Sequence, residues 1–309
     1  MSTVGRIREI WRYPVKSMGG EKLDRCSIGS LGIPGDRGWA LRDDTLGEIR
    51  GARRMPVLMK CSARYRKPPT ESEIPHVDIT LPDGSTLGSD DPQVSAVLSR
   101  LVDRPVTLWP RQPASNKAHY RRAQPGAALM ARLGRTAAIR RFFLTILRVT
   151  GMDADIREEM SREPGESLPD LAVHPAELLE FVSPPGTYFD AFPIHVLTTA
   201  ALEAMATANS AAIWDVRRFR PNLLVETPAG ASGIVENGWS NRTLAVGRMH
   251  LSCQMPTVRC GMTTHAQGEL PKDPSVLRTI VRDAGQSLGI YAGIATAGDV
   301  AAGDEVELL

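Results

Sequence analysis

The residue types best suited to chemistry in this chain are one cysteine and a set of cations near turns. Cys260 lies in the stretch 255–264, MPTVRCGMTT, between Arg259 and Gly261, with Thr263 and Thr264 close behind. A cysteine beside an arginine gains thiolate character, because a nearby cation favours the anion. A thiolate attacks, oxidises or binds a soft metal. The other reading is a small buried hydrophobe, the common state of a free cysteine. Three further stretches put a cation beside small polar groups. Residues 13–20 offer Lys16 and Ser17 ahead of two glycines. That set can hold a phosphate, although the Gly-x4-Gly-Lys-Ser/Thr order of a P-loop is missing. Gly35-Asp36-Arg37 presents a guanidinium from a turn, suited to bidentate phosphate contact. Residues 218–222, RFRPN, place Arg220 just before an apolar run. Each stretch alone also reads as solvated loop charge. Together they fit an anionic cofactor without naming it.

These groups must be positioned by β-rich structure. Val4, Ile7 and Ile10 open a strand, and 39–42, 61–65, 77–81 and 106–109 read as further strands. Asp83-Gly84 between Leu81 and Thr86 predicts a hairpin with a type I′ turn. Asp91-Pro92 predicts a helix start, with Val94, Val97, Leu98 and Leu101 on one face. Residues 111–151 hold nine basic residues and no acidic one, and acidic residues dominate from Asp153 to Glu166. A helix interrupted at Gly134 is expected over 127–149. The region reads as an insertion whose basic helix packs on the body and pairs with the acidic part, or as a basic amphipathic surface for a membrane or an acidic redox partner. After it, 193–197, 223–225, 243–246, 249–253 and 306–309 read as strands. Thr198 or Thr199 caps a helix, and Asp273-Pro274 starts another. Pro256 breaks the alternation ahead of Cys260, which places the cysteine on a loop at a sheet end. The expected fold is mainly β with α (α+β). It has a β-barrel-like unit over 1–109, a helical and basic insertion over 110–190 and a second β-rich unit over 191–309.

Composition sets the outer bounds. With 309 residues, 42% hydrophobic and 23% charged, the chain can bury a full core without disulfides. A net charge of +2 is too small to imply nucleic acid as the main partner. Cys26, Cys61, Cys253 and Cys260 are scattered without a CxxC pair, as expected of reduced thiols in the cytoplasm. No run approaches the about 20 apolar residues of a membrane span, and 1–11 lacks an apolar signal core. Cys253 and Cys260 lack zinc-ligand spacing. The histidines are scattered; His265, just after the cysteine loop, is the one with a candidate site role.

Five stretches occur in an order that resembles one family: YPVKS at 13–17, GDRGWAL at 35–41, LTTAAL at 197–202, FRPNLLVE at 219–226 and MPTVRCGMTT at 255–264. The chain resembles MOSC-domain proteins with an N-terminal MOSC-type β-barrel, the group of the mitochondrial amidoxime-reducing component and its bacterial relatives. The resemblance implies a molybdenum cofactor held between the two β-rich units, with Cys260 as the protein thiolate ligand to molybdenum. By the same resemblance Lys16, Ser17 and Arg37 hold the pterin and its phosphate. Arg220 contacts the cofactor with Asn222 as its supporting partner, and Thr198 and Thr199 present a helix start to an anion. Thr257, Val258 and Arg259 line the ligand loop; many relatives carry a serine where this chain has Val258, so a hydroxyl contact is absent there. The implied activity is reduction of N-hydroxylated or N-oxide compounds. The relatives that carry their own donor end in a [2Fe–2S] domain whose cysteines this chain lacks. Electrons are therefore expected from a separate ferredoxin, flavoprotein or cytochrome-type protein. The pyridoxal-phosphate desulfurase domain fused to MOSC units in molybdenum cofactor sulfurases is also missing. The alternatives are a sulfur carrier that forms a persulfide on Cys260, and a non-catalytic cofactor-binding protein.

Overall fold

A computed structural model describes residues 2–123, 127–134, 136–149 and 153–309. Arg135 lies outside these residues, as do the side chains of Leu129, Leu147 and Arg148. The first part of the chain forms β1 (Ser2–Arg12), β2 (Glu21–Leu23), β3 (Arg25–Ile28), β4 (Trp39–Asp43), β5 (Glu48–Arg50), β6 (Ser62–Tyr65), β7 (Val77–Thr80), β8 (Thr86–Gly88), the helix α1 (Val94–Val102) and β9 (Val106–Pro110). Four helices follow: α2 (Lys117–Tyr120), α3 (Ala127–Leu133), α4 (Ala137–Val149) and α5 (Ala154–Met160). The last part forms β10 (Ile194–Thr198), α6 (Thr199–Ala208), β11 (Leu223–Glu226), β12 (Thr243–Val246), β13 (Met249–Val258), α7 (Pro274–Asp283), β14 (Ser287–Thr296), β15 (Gly298–Ala301) and β16 (Glu305–Leu308).

The strand order β11-β10-β14-β13-β12-β16-β1 closes on itself, because β1 also pairs with β11. The result is a seven-stranded barrel. Six strands come from the end of the chain and one from its start. Only β10 and β11 run parallel within it. The barrel interior holds Ile7, Ile10, Val196, Leu223, Leu251, Ile290 and Val306, all essentially buried. Each such side chain contributes about 1.5–3 kcal/mol by leaving water. The inward phase of β1 shifts at a bulge between Ile7 and Glu9, which is why Ile10, rather than Glu9, faces inward. Gly5 lies where β1 passes closest to β11. A Cβ there would strike the Glu226 carbonyl and sit 2.7 Å from Val225 Cγ1. Gly5→Ala is expected to destabilise the fold by about 2–4 kcal/mol through overpacking and strain. Denaturant unfolding with an unchanged midpoint would contradict this.

β2 pairs with β1 and β3 with β15, and β4 to β9 form two three-stranded sheets, β5-β4-β9 and β6-β7-β8. Around a second core of Leu41, Leu58, Val77, Ile79, Leu98 and Val106 they make the other β-rich unit. The hairpin joining β7 and β8 departs from the expected type I′ turn. Only Gly84 in the loop has positive φ, 84°, and Pro82 lacks the N–H that would pair with Ser85 to close Asp83-Gly84 as a two-residue turn. Leu81 N donates to Ser85 O, closing a three-residue loop with glycine in the left-handed position. Pro256 does not end its strand either. β13 runs through it to Val258, with alternate residues buried along its whole length. Register shifts flanking Pro256 absorb the missing N–H.

In the insertion the helix breaks at Gly134, as the sequence predicts. Arg140 of α4 donates to the carbonyls of Ala172 (2.6 Å) and Gly134 (2.7 Å), and Arg141 pairs with Asp170. The acidic segment, however, pairs elsewhere. Glu159 binds Arg53 (2.6 Å) and Glu158 binds Arg54, both from the first unit, while Glu166 binds Arg278 of α7. The insertion therefore ties both units together beside the cysteine loop.

Candidate functional site

A cleft of about 490 Å³ opens between the barrel, the first unit and the insertion. Cys260 lines it, two residues beyond the end of the long strand β13 and next to Arg259. Its backbone is extended, and its carbonyl accepts from Thr263 N and Oγ1, each at 3.2 Å. Arg218 braces this loop from beneath. It is 1% exposed and donates to the carbonyls of Thr263 (3.4 Å) and Pro271 (2.9 Å). From the insertion, Arg162 donates to Arg259 O (2.9 Å), and the Ser161 side chain packs closely on Gly261, where a Cβ would displace it. Arg53, Arg162 and Arg259 all lie within electrostatic reach of the Cys260 sulfur.

Arg37 and Arg220 line the same cleft. Both have positive φ, 49° and 54°, and so does Ser17 at 70°. Such a backbone costs an L-residue about 1–2 kcal/mol. Arg37 is held there by its N–H donating to Tyr13 O (2.6 Å), Ser17 lies in the turn closed by Met18 N on Val15 O, and Arg220, like Asp103 and Ser161, follows a helical turn, its N–H donating to Val216 O (3.3 Å). The Tyr13 ring lies under both guanidinium groups, 4.1 Å from Arg220 and 5.2 Å from Arg37. Asp36, 4% exposed, pairs with Arg37, accepts from Tyr13 N (2.8 Å) and accepts from Asn222 Nδ2 (3.0 Å). Arg220 Nη1 donates to Met18 O at 2.5 Å, while its buried Nη2 has no partner among the described residues. Burial lowers the Arg220 pKa to about 10, so the group remains cationic at neutral pH.

The other predicted residues divide clearly. Val258, Arg259 and Asn222 line the cleft. Asn222 supports Arg37 through Asp36, and bonds Trp11 O and His195 N; it does not bond Arg220, contrary to expectation. Lys16 reaches the cleft edge through Asp190 (2.6 Å) and also donates to Tyr188 O. Desolvation in the cleft would raise the Asp190 carboxyl pKa, but Lys16, Arg37 and Arg53 together hold it well below the carboxylate range. Ser17 Oγ accepts from Ala52 N (2.9 Å) and so props the turn that carries Arg53. Thr198 and Thr199 do not line the cleft. Thr198 caps α6 by accepting from Ala201 N, and donates to the buried Glu236; Thr199 bonds Thr227. A carboxylate of the protein already sits at that helix start. Thr257 is buried with its Oγ1 unpartnered, on the face of β13 away from the cleft.

Sequence reading did not find Arg53, Arg122, Asp190, His195 or Tyr291, all of which line the cleft. His265, singled out by position, does not. His195 sits in a run of buried strand, and nothing local separates it from a core residue. It accepts from Arg259 Nη2 through Nε2 at 2.7 Å, so the ring must be neutral there. Gly289, at φ 86°, leaves it the room. Burial, and then the Arg259 cation, hold the imidazole pKa well below 6.5. As pH falls, the unfolded chain takes up this proton before the native one does. The stabilisation is full above about pH 6.5 and is lost below it, by up to about 1.4 kcal/mol per pH unit for one group. His195→Gln keeps an acceptor for Arg259. Its thermal midpoint is expected to fall less steeply than the parent's between pH 6.5 and 5. Parallel profiles would show that His195 does not carry this dependence.

A barrel that ends in a cysteine loop, with Arg220 at its edge and Arg37 facing it from a second β-rich unit, defines a two-unit protein with a cationic candidate site. Residues 4–109 match the model of the MOSC N-terminal beta barrel domain and residues 184–307 that of the MOSC domain. The chain belongs to the MOSC-domain family, whose members are associated with molybdenum-cofactor sulfurase and oxidoreductase-like proteins. Residues 110–183, most of the insertion, fall between the two models. No curated protein matches the chain. Among solved structures, the YUAD protein from Bacillus subtilis is 11% identical with a TM-score of 0.41, over 98% of this chain and 94% of that one. YiiM from Geobacillus stearothermophilus is 15% identical with a TM-score of 0.28, over 38% of this chain and 54% of that one. Among the described residues, no three His, Cys, Asp or Glu side chains gather to hold a metal ion, and no helix is long and apolar enough to cross a membrane.

Proposed function

We propose that the protein is a molybdenum-cofactor-dependent reductase of N-hydroxylated or N-oxide compounds, acting in the cytoplasm with electrons from a separate donor protein. The observation that carries this reading is the meeting of Cys260 with Arg37 and Arg220 in one cleft. The buried, unpartnered Nη2 of Arg220 supports it, since a donor left so costs stability unless a ligand takes it. The donor set fits a phosphate-bearing, sulfur-rich group: arginines for the phosphate, one thiol for the metal.

Cys260 Sγ would be the protein's ligand to molybdenum, and Arg220 and Arg37 would hold the phosphate and pterin. The Lys16–Asp190 pair would fix the edge of the site. When bound, the cofactor supplies a two-electron centre that takes oxygen from nitrogen. The protein binds, orients and electrostatically supports that chemistry. Burial raises the Tyr291 pKa, so its hydroxyl stays protonated and offers the cleft a hydrogen-bond donor. Arg259 adds positive charge but few donors, because Leu288 O, Phe219 O and His195 already accept from it.

The test is metal and pterin analysis of protein made in a host that synthesises the cofactor, followed by reduction of an amine N-oxide with a chemical electron donor. Near-stoichiometric molybdenum with turnover supports the reading. Metal-free protein that takes a persulfide onto Cys260 from a cysteine desulfurase would replace it with a sulfur carrier. Bound cofactor without turnover of any N–O compound would leave a binding protein.

A further inference from the structure

The cleft has walls of two kinds. One side carries Cys260, Arg220 and Tyr291 from the barrel and Arg37 from the first unit. Its other side is built by the insertion and is largely apolar: Phe143 and Leu144 of α4, Ile156 and Met160 of α5, and Leu171 and Leu178 from the turns on which the helices pack. Phe143, Leu144, Ile156, Leu171 and Leu178 are only half-buried, so their surfaces remain open to the cleft. A pterin and its phosphate present polar atoms along most of their edges. The polar side chains on this side besides His174 are already engaged, Arg122 with Leu178 O, Arg140 with Ala172 O and Gly134 O, and Glu159 with Arg53, so the wall offers a cofactor few hydrogen bonds, and burying unpaired polar groups against it is unfavourable. The cationic side suits the cofactor, and the apolar side is left for another occupant.

The insertion is also fixed in relation to the cysteine. Arg162 bonds the Arg259 carbonyl, Ser161 packs on Gly261 and Glu159 pairs with Arg53. Met160 and Ile156, on the same short helix, are therefore held beside the Cys260 loop.

We propose that the insertion forms an apolar compartment of this cleft, which takes the hydrocarbon body of a substrate while its polar N–O head reaches Cys260. The substrate class is then N-oxygenated compounds with an alkyl or aryl body, rather than small hydrophilic ones. This rests on the reductase reading for the identity of the polar head, but not for the compartment itself.

The test compares equilibrium binding of trimethylamine N-oxide and N,N-dimethylhexylamine N-oxide to the purified, cofactor-loaded protein by titration calorimetry. The hexyl compound is expected to bind at least about tenfold more tightly, the scale of burying two methylenes. In Leu144→Asn and in Ile156→Asn, on different helices, that ratio is expected to collapse toward one, whereas Leu144→Met preserves it. Circular dichroism and thermal midpoints identify a variant that has lost its fold, and the other then decides. A ratio near one in the parent, or one unchanged in both folded asparagine variants, overturns the compartment. A ratio that behaves as expected with no reduction of either compound keeps the compartment and removes the reductase reading.

Discussion

Protein with Cys260 replaced by alanine or serine is expected to purify with little molybdenum and to reduce N-oxides at least about 100-fold more slowly than the parent. Losing an outer partner of a metal ligand alone typically costs 10–100-fold in affinity or activity. Losing the ligand itself should cost no less. Serine is the sharper variant, since it swaps a soft sulfur for a hard oxygen and changes little else. The fold should tolerate both. Cys260 is half-buried, its backbone is extended, and its sulfur has no hydrogen-bond partner among the described residues. The loop is held by its backbone, through Thr263, and by Arg218 below. Thermal midpoints of the cofactor-free variants should therefore stay near that of the cofactor-free parent, as for substitutions away from packed features. An alanine variant that kept its metal and its turnover would remove Cys260 from the site.

What the sequence made legible was local. Strands with alternating apolar residues, the Thr198 and Asp273 caps and the break at Gly134 all follow from propensity and spacing. Two local readings failed because a neighbour decided the geometry. Pro82 excluded the type I′ turn, and the register shifts of β13 accommodated Pro256. The barrel closure was not readable, since β1 pairs with β11 and β16 from the far end of the chain. No periodicity in 2–12 names those partners. The site divided in the same way. Cys260, Arg37 and Arg220 were found through motifs, but Arg53, His195 and Tyr291 sit in stretches that look like ordinary loop or core. Thr198 and Thr199 carry a plausible polar pair, yet Glu236, brought in from a distant turn, occupies the helix start. Charge alone could not show which of the cleft's cations keep donors free for a ligand and which, like Arg218, turn them to backbone carbonyls.

Arg220 separates stability from binding in a way that can be measured. Its left-handed backbone, φ 54°, works against the fold, and its burial removes a cation from water. The Met18 carbonyl and the Tyr13 ring recover part of that cost. Nη2 recovers nothing from the protein alone. Arg220→Lys keeps the charge but loses the planar fork that can serve Met18 and an anion together. Cofactor retention, read from pterin fluorescence and molybdenum after dialysis, is expected to fall about 10- to 150-fold, the loss of one charge-assisted hydrogen bond of about 1.5–3 kcal/mol. Arg220→Gly should lose the cofactor at least as fully. Its cofactor-free form should lose little stability, because relief of about 1–2 kcal/mol of backbone strain offsets much of the lost Met18 bond. A purely structural arginine would give the opposite pattern, with a large fall in midpoint and cofactor retained by whatever protein stayed folded. That outcome would place Arg220 in the frame of the cleft and would leave Arg37 as the principal phosphate contact.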